Sequence, residues 1–293
     1  MGRQRFGSLH TDQKLGKLQA YLKSFSAALK NQRFDLIFFD AFAGTGDIQI
    51  ADDAPLLETV SEYAPFIEGS AQRALRFGTA FNQYIFVEKS RSKMRELEVL
   101  RGQFPTIADR ISLRCGDANK ELEKFCSGTD WKKTRAVVFL DPFGNQVSWE
   151  TIVAIAETRA IDLWYLFPAG LGVLRQLPKR RGVHSTHEAS LDKLLGTREW
   201  REVFIETKSV DDLFGTKENQ ERRATVESIT RFMAERMKTI FRGGVLDEWL
   251  PLGSRGIHMY SLLFAWANPS EKAKLAGTLA SAVLRSGNRG RSK

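Results

Sequence analysis

At 293 residues, 42% hydrophobic and 27% charged, the chain has the length and composition of a globular protein that buries a full core. No run of eighteen apolar residues occurs, which excludes a membrane-spanning helix, and Cys115 and Cys126 are the only cysteines, which excludes a disulfide scaffold. The net charge of +9 gathers at the ends: residues 1–33 and 272–293 carry +6 each, leaving −3 for the body.

Basic ends on a nearly neutral body fit a polyanion partner such as nucleic acid, or simple solvation. The cluster Pro178-Lys179-Arg180-Arg181 tilts the balance towards nucleic acid. Two cysteines and no apolar leader in the first residues predict a reducing, cytoplasmic setting.

In chain order, residues 1–10 read as a basic disordered arm. Thr11 or Asp12 is placed to cap a helix with Leu15, Leu18, Leu22, Phe25 and Leu29 on one face and Lys14, Lys17, Lys23 and Lys30 on the other. Leu36-Ile37-Phe38-Phe39 is an unbroken apolar run, the pattern of a strand buried on both faces of a parallel sheet. It ends in Asp40-Ala41-Phe42-Ala43-Gly44-Thr45-Gly46, where a carboxylate meets a glycine loop. Such a loop brings backbone N–H groups close to anything bound above the strand end. A weakly patterned stretch follows, with turns at 52–55 and 63–65. It is longer than an ordinary βα loop and is expected to cover the site. Gly69-Ser70 opens a helix to about Thr79.

Gln83–Glu88 is the second strand, ending in a carboxylate, and a helix follows over Ser90–Arg101. An acid at this strand end suits ribose hydroxyls, or else caps the following helix. Arg110–Cys115 is the third strand and delivers Gly116-Asp117-Ala118-Asn119. Asp117 can accept an adenine exocyclic amine or close an Asx-turn. Ala136–Leu140 is the fourth strand and runs into Asp141-Pro142-Phe143-Gly144, stiffened by Pro142. Trp149, Ile152, Val153 and Ala156 mark a helix face, and Ile161–Phe167 is the fifth strand. Strands alternating with helices predict a parallel sheet covered on both sides.

Residues 168–243 read as a helical insertion after the fifth strand. It has a basic loop at Arg175 and Lys179–Gly182 and helical patterns over Leu191–Ile205 and Glu221–Phe241. Pro251–Ser254 reads as a turn into a last strand, His258–Trp266, antiparallel to the rest. A helix through Ala276, Leu279, Ala280 and Val283 and a basic tail, 286–293, end the chain. The predicted organisation is one domain over 11–285 between the arm and the tail.

The string Asp-x-Phe-Ala-Gly-x-Gly at 40–46 resembles the first motif of S-adenosylmethionine-dependent methyltransferases, particularly those acting on nucleic-acid amino groups. The resemblance implies a Rossmann-like methyltransferase fold along most of 34–167 plus the strand near 258–266. It implies S-adenosylmethionine as cofactor, with Asp40, Phe42, Ala43, Gly44 and Gly46 near its methionine end, Glu88 on the ribose, and Asp117 and Ala118 facing the adenine.

Asp141-Pro142-Phe143-Gly144 is similar to the Asp-Pro-Pro-aromatic loop of amino methyltransferases, so Asp141, Pro142 and Phe143 are the implied catalytic set. There the Asp and a proline carbonyl accept from the target amine, and an aromatic ring stacks on the base. This chain has Phe143 where the second proline belongs and Gly144 where the aromatic belongs. Either Phe143 stacks from a shifted position, or the target is not a base, or Phe143 packs into the core.

A narrower resemblance covers nearly the whole chain. Asp-Ala-Phe-Ala-Gly-Thr-Gly, Gly-Ser-Ala at 69–71, Phe-Val-Glu at 86–88, the run 139–149 and the run 161–168 look like the three-Cys-motif partner (TcmP) family. That resemblance implies association with a separate protein carrying three cysteines.

Other chemistries fail on spacing. His184 and His187, on an expected loop beside Glu188, lack further metal ligands, so no metal site is predicted. No Gly-x-x-x-x-Gly-Lys-Ser/Thr loop or Gly-x-Ser-x-Gly elbow occurs, and the third glycine of a dinucleotide fingerprint is missing. Three readings remain: methyl transfer to nucleic acid, a non-catalytic partner protein that keeps the fold, and methylation of a small molecule.

Overall fold

The computed structural model describes residues 7–43, 68–179, 183–212, 215–254 and 257–286. Strands β1 (Asp35–Asp40), β2 (Gln83–Glu88), β3 (Ile111–Cys115), β4 (Thr134–Leu140) and β5 (Ile161–Phe167) pair in parallel. β10 (Ile257–Trp266) lies antiparallel on β5, with Ser261 opposite Phe167 and Trp266 opposite Asp162. β8 (Gly244–Val245) and β9 (Leu250–Ser254) both pair antiparallel with β10. The order β3-β2-β1-β4-β5-β10-β8, parallel as far as β5 and antiparallel at β10, is the Rossmann-like methyltransferase fold.

The apolar runs fold this way because alternate side chains need cover on opposite faces. Ile37, Phe39, Ile85, Val87, Val138 and Leu140 face α4 (Ala118–Gly128), α5 (Trp149–Glu157) and α8 (Val226–Lys238). Phe38, Tyr84, Phe86, Val137, Phe139 and Trp164 belong to the other core with α1 (Gly7–Leu29), α2 (Glu68–Leu75), α3 (Arg91–Gly102) and α9 (Lys274–Arg285). Trp164 is the post of that second core, with Tyr21 edge-on at 5.3 Å and Phe264 at 4.8 Å between ring centres.

Several boundaries differ from the sequence reading. α1 starts at Gly7, inside the stretch read as disordered. Lys17 is not on a solvated face: it is 8% exposed and donates to the carbonyls of Val283 and Leu284, the latter at 3.1 Å, and to Ser286 Oγ at 3.2 Å. It therefore supplies donors to the last carbonyls of α9, which have no partner within the helix. Burial holds its amine below the ordinary lysine range. Lys17→Met keeps the apolar stem and removes the donors, so the unfolding free energy should fall by about 1–3 kcal/mol. Urea midpoints check this, and an unchanged midpoint would refute the cap.

The insertion is helical at both ends, with α6 (Ser185–Leu195), α7 (Trp200–Phe204) and α8, but it carries a hairpin that the sequence pattern did not separate. β6 (Ile205–Asp212) pairs antiparallel with β7 (Gly215–Arg222), from Ile205 opposite Arg222 to Asp212 opposite Gly215. These segments are so polar that no apolar face announces a strand, and the ladder is carried by backbone groups. α8 starts at Val226 rather than Glu221 because Thr225 and Ser228 form a reciprocal capping box. His184 and His187 are not on a loop: His184 caps α6 and His187 lies in it. Pro251–Ser254 is β9, not a turn.

Gly196 closes α6 in the left-handed region at φ 64°, and a Cβ there would lie 2.1 Å from the Trp149 ring. Arg236 stacks on that ring 4.7 Å from its centre and donates to Gly196 O at 3.0 Å. Trp149 thereby locks α5 to the insertion.

Candidate active site

The sheet brings the predicted carboxylates to one edge. Asp40, the last residue of β1, stands opposite Phe86 of β2 on one side and Phe139 of β4 on the other. Glu88 and Asp141 each lie two residues further on, flanking β1. With strands about 4.8 Å apart, their Cα atoms straddle β1 at roughly 10 Å. β2 and β4 leave β1 in opposite directions, so this is the point where the strand order reverses and where open α/β sheets bind ligands.

Local hydrogen bonds shape each tip. Asp40 is fully buried, and its Oδ1 accepts from Phe42 N at 3.1 Å, turning the chain at the strand end. Ala41 N donates to Phe139 O and Ala43 N to Val87 O, so the segment crosses from the β4 side to the β2 side. Ala43 is buried and Phe42 half-buried. Gly44 and Gly46, with the whole stretch expected to cover the site, lie outside the described residues.

Glu88 is half-buried, and its Oε1 accepts from Ser90 N at 2.6 Å. Ser90, not Glu88, occupies the cap position of α3. Asp117 caps α4, its Oδ1 accepting from Asn119 N at 3.1 Å and Lys120 N at 3.3 Å, and Ala118 is buried behind it. The Asx-turn alternative is therefore real for Asp117. The second oxygen of each carboxylate, Glu88 Oε2 and Asp117 Oδ2, accepts from none of the described residues.

At the end of β4, Asp141 is 7% exposed and Pro142 is buried, whereas Phe143 is 42% exposed. Packing of Phe143 into the core is thus overturned. The departure from the Asp-Pro-Pro-aromatic pattern has a backbone cause. Gly144 sits at φ 73°, a conformation that a β-carbon makes costly, which disfavours an aromatic residue there and leaves Phe143 as the ring of this loop.

Sequence reasoning missed the residues that fix this loop. Asn119, in the first turn of α4, donates from Nδ2 to Gln146 O at 2.9 Å, and its Oδ1 accepts from Ser148 N at 2.9 Å and Thr151 Oγ1 at 2.8 Å. Gln146 Oε1 in turn accepts from Phe143 N at 3.0 Å. One asparagine therefore ties the β3 tip to the β4 tip. Asn145 ties the same loop to the insertion, donating to Gln176 Oε1 at 3.0 Å and Ser190 Oγ at 3.3 Å. The run Asp-x-Asn after the third strand was the available signal, since a capping Asp leaves the Asn two residues later at the helix's exposed start.

His258 was read only as a strand residue. It stands three residues beyond Ser261, which pairs with the last residue of β5, so it projects past the same edge. Its Nε2 lies 3.0 Å from Ser261 Oγ, which meets Thr230 Oγ1 at 2.7 Å. Burial keeps its pKa below the ordinary histidine value, against a backbone hydrogen bond at Tyr260 and the charge of Glu227. Arg175, read as part of a basic loop, is helical at the end of the segment Ala169–Leu174; it and Lys179 are exposed, while Arg180, Arg181 and Gly182 lie outside the described residues. Among the described residues, no helix is long and apolar enough to cross a membrane.

No protein-family model matches the chain, and no curated protein matches it. Among solved structures it is similar to the magnesium protoporphyrin IX methyltransferase ChlM from Synechocystis, determined with bound SAH. The identity is 12%, covering 86% of this chain and 84% of that one, with a TM-score of 0.35. It is also similar to the CcbJ methyltransferase from Streptomyces caelestis, at 13% identity, 86% and 95% coverage and a TM-score of 0.33. A protein from Legionella pneumophila matches at 14% identity, 80% and 92% coverage and a TM-score of 0.35. At such identities and TM-scores the fold rests on the strand order itself.

Proposed function

We propose that the chain is an S-adenosylmethionine-dependent methyltransferase acting on nucleic acid, with a base amino group as acceptor. The observation that carries this reading is a buried carboxylate at the end of β4, followed two residues later by an exposed aromatic ring, across β1 from Glu88.

The donor set fits the cofactor. Glu88 Oε2 would accept from ribose hydroxyls and Asp117 Oδ2 from the adenine amine. The segment Asp40–Ala43, which crosses from the β4 side to the β2 side, would lie under the methionine end. When bound, S-adenosylmethionine supplies an electrophilic methyl group. Asp141, with the Pro142 carbonyl, accepts N–H bonds from the target amine and so turns its lone pair towards the methyl carbon. Phe143 stacks on the base, a contact worth about 1–3 kcal/mol. Most of the gain comes from position and electrostatics, held by Asn119 and Asn145 behind the loop. The basic termini, with Arg175 and Lys179–Arg181, serve the polyanion. On the family resemblance, a three-cysteine protein completes the working unit.

Calorimetric titration with S-adenosylmethionine and S-adenosylhomocysteine tests the first step. The wild type should bind both at micromolar concentration. Glu88→Ala should weaken both by about 5- to 150-fold, because a ribose diol left without its acceptor costs about 1–3 kcal/mol. A folded wild type that binds neither would refute the enzyme reading and favour a partner protein that keeps only the fold.

A further inference from the structure

A cavity of about 550 Å³ opens at the other edge of the sheet, between the end of α1 and the start of α9. Phe25, Leu29, Leu275 and Leu279 line its apolar part. Its polar part holds a carboxylate and a guanidinium that do not meet. Asp162, 8% exposed at the start of β5, accepts from Tyr21 Oη at 2.6 Å through Oδ2, and nothing described bonds its Oδ1. Arg135, at the start of β4, has its Cζ over the Phe34 ring, 3.9 Å from the ring centre, and donates from Nη1 to the carbonyls of Trp131 and Thr134. Its Nε and Nη2 have no acceptor among the described residues. Arg135 favours the ionised Asp162 by charge, yet the two form no ion pair.

Asp162 is buried and Arg135 half-buried, and both line the cavity with bonding capacity that a ligand can use. A ligand with one charge would satisfy one of these groups and leave the other. Lys272 at the rim adds a second cation, so a plain amine meets more repulsion than attraction. We propose that this cavity binds a small zwitterion with an apolar side chain, of the α-amino acid class. Its ammonium donates to Asp162 Oδ1, its carboxylate accepts from Arg135 Nε and Nη2, and its side chain lies among Phe25, Leu29, Leu275 and Leu279. The volume lies within the range of small-molecule sites. The site is remote from Glu88 and Asp141, at the opposite strand ends, and does not depend on methyl transfer.

Calorimetric titration at pH 8, where Asp162 is ionised, with L-phenylalanine, L-leucine, 3-phenylpropionate and 2-phenylethylamine tests it. At least one amino acid should bind ten times more tightly than either half-molecule. Asp162→Asn and Arg135→Met should each lose that advantage, and Ala276→Trp, which fills the cavity while leaving both polar groups in place, should abolish binding. If the two polar variants fail to fold, the wild-type ranking and the filled variant decide. No binding of any of the four at millimolar concentration, half-molecules as tight as the amino acids, or undiminished binding to Ala276→Trp would overturn the proposal.

Discussion

Asp141→Ala should lower methyl transfer to nucleic acid by about 10²–10³-fold while leaving the affinity for S-adenosylmethionine within twofold of wild type. The size follows from what the carboxylate does under the proposed mechanism. A preorganised acceptor aimed at a reacting amine is worth about 3–4 kcal/mol in a site shielded from water. Asp141 meets the burial requirement at 7% exposure, and the Asn119–Gln146 clamp holds the loop that follows it. Asp141→Asn retains one acceptor oxygen but loses the charge, so it should fall between the two, about tenfold down. The split between the readouts is what makes the test specific. A merely structural Asp141 would lower cofactor affinity and melting temperature together with kcat. An alanine variant that binds cofactor and keeps full activity would remove Asp141 from the chemistry.

β1 to β5 and β10 were legible in the sequence because each is an apolar run bounded by turn signals, whereas their order in the sheet came from the pairing itself. β2 and β5 match residue for residue, since Glu88 and Pro168 stop them where the chain leaves the sheet. What the pattern hid was held by polar groups. The β6–β7 hairpin has no apolar stripe to betray it, and Lys17 looked solvated because its partners are carbonyls far along the chain. The site was half legible for a related reason. A carboxylate at a strand end announces itself, but the asparagines that aim a loop from behind are ordinary polar letters until the tips converge. Phe143 shows the limit most clearly: its exposure and the left-handed backbone at Gly144 are visible only in the fold.

The pH dependence of stability should change most at Asp162. Burial raises its pKa to about 7, against the Tyr21 hydrogen bond and the charge of Arg135, which both pull it down. In the unfolded chain the same group titrates near 3.9. Between those values the folded protein holds a proton that the unfolded chain has released, so stability falls as pH rises from about 4 to 7 and is level above that. Asp162→Asn cannot ionise and still offers Tyr21 an acceptor. Its stability relative to wild type should therefore improve by about 3–4 kcal/mol between pH 4 and pH 8. Surface carboxylates titrate alike in both proteins, so the difference between the two urea curves isolates this one group. Parallel curves at pH 4, 6 and 8 would mean that Asp162 is ionised in the fold throughout. The Arg135 charge would then outweigh burial, and the acid would be a permanent anion facing the cavity.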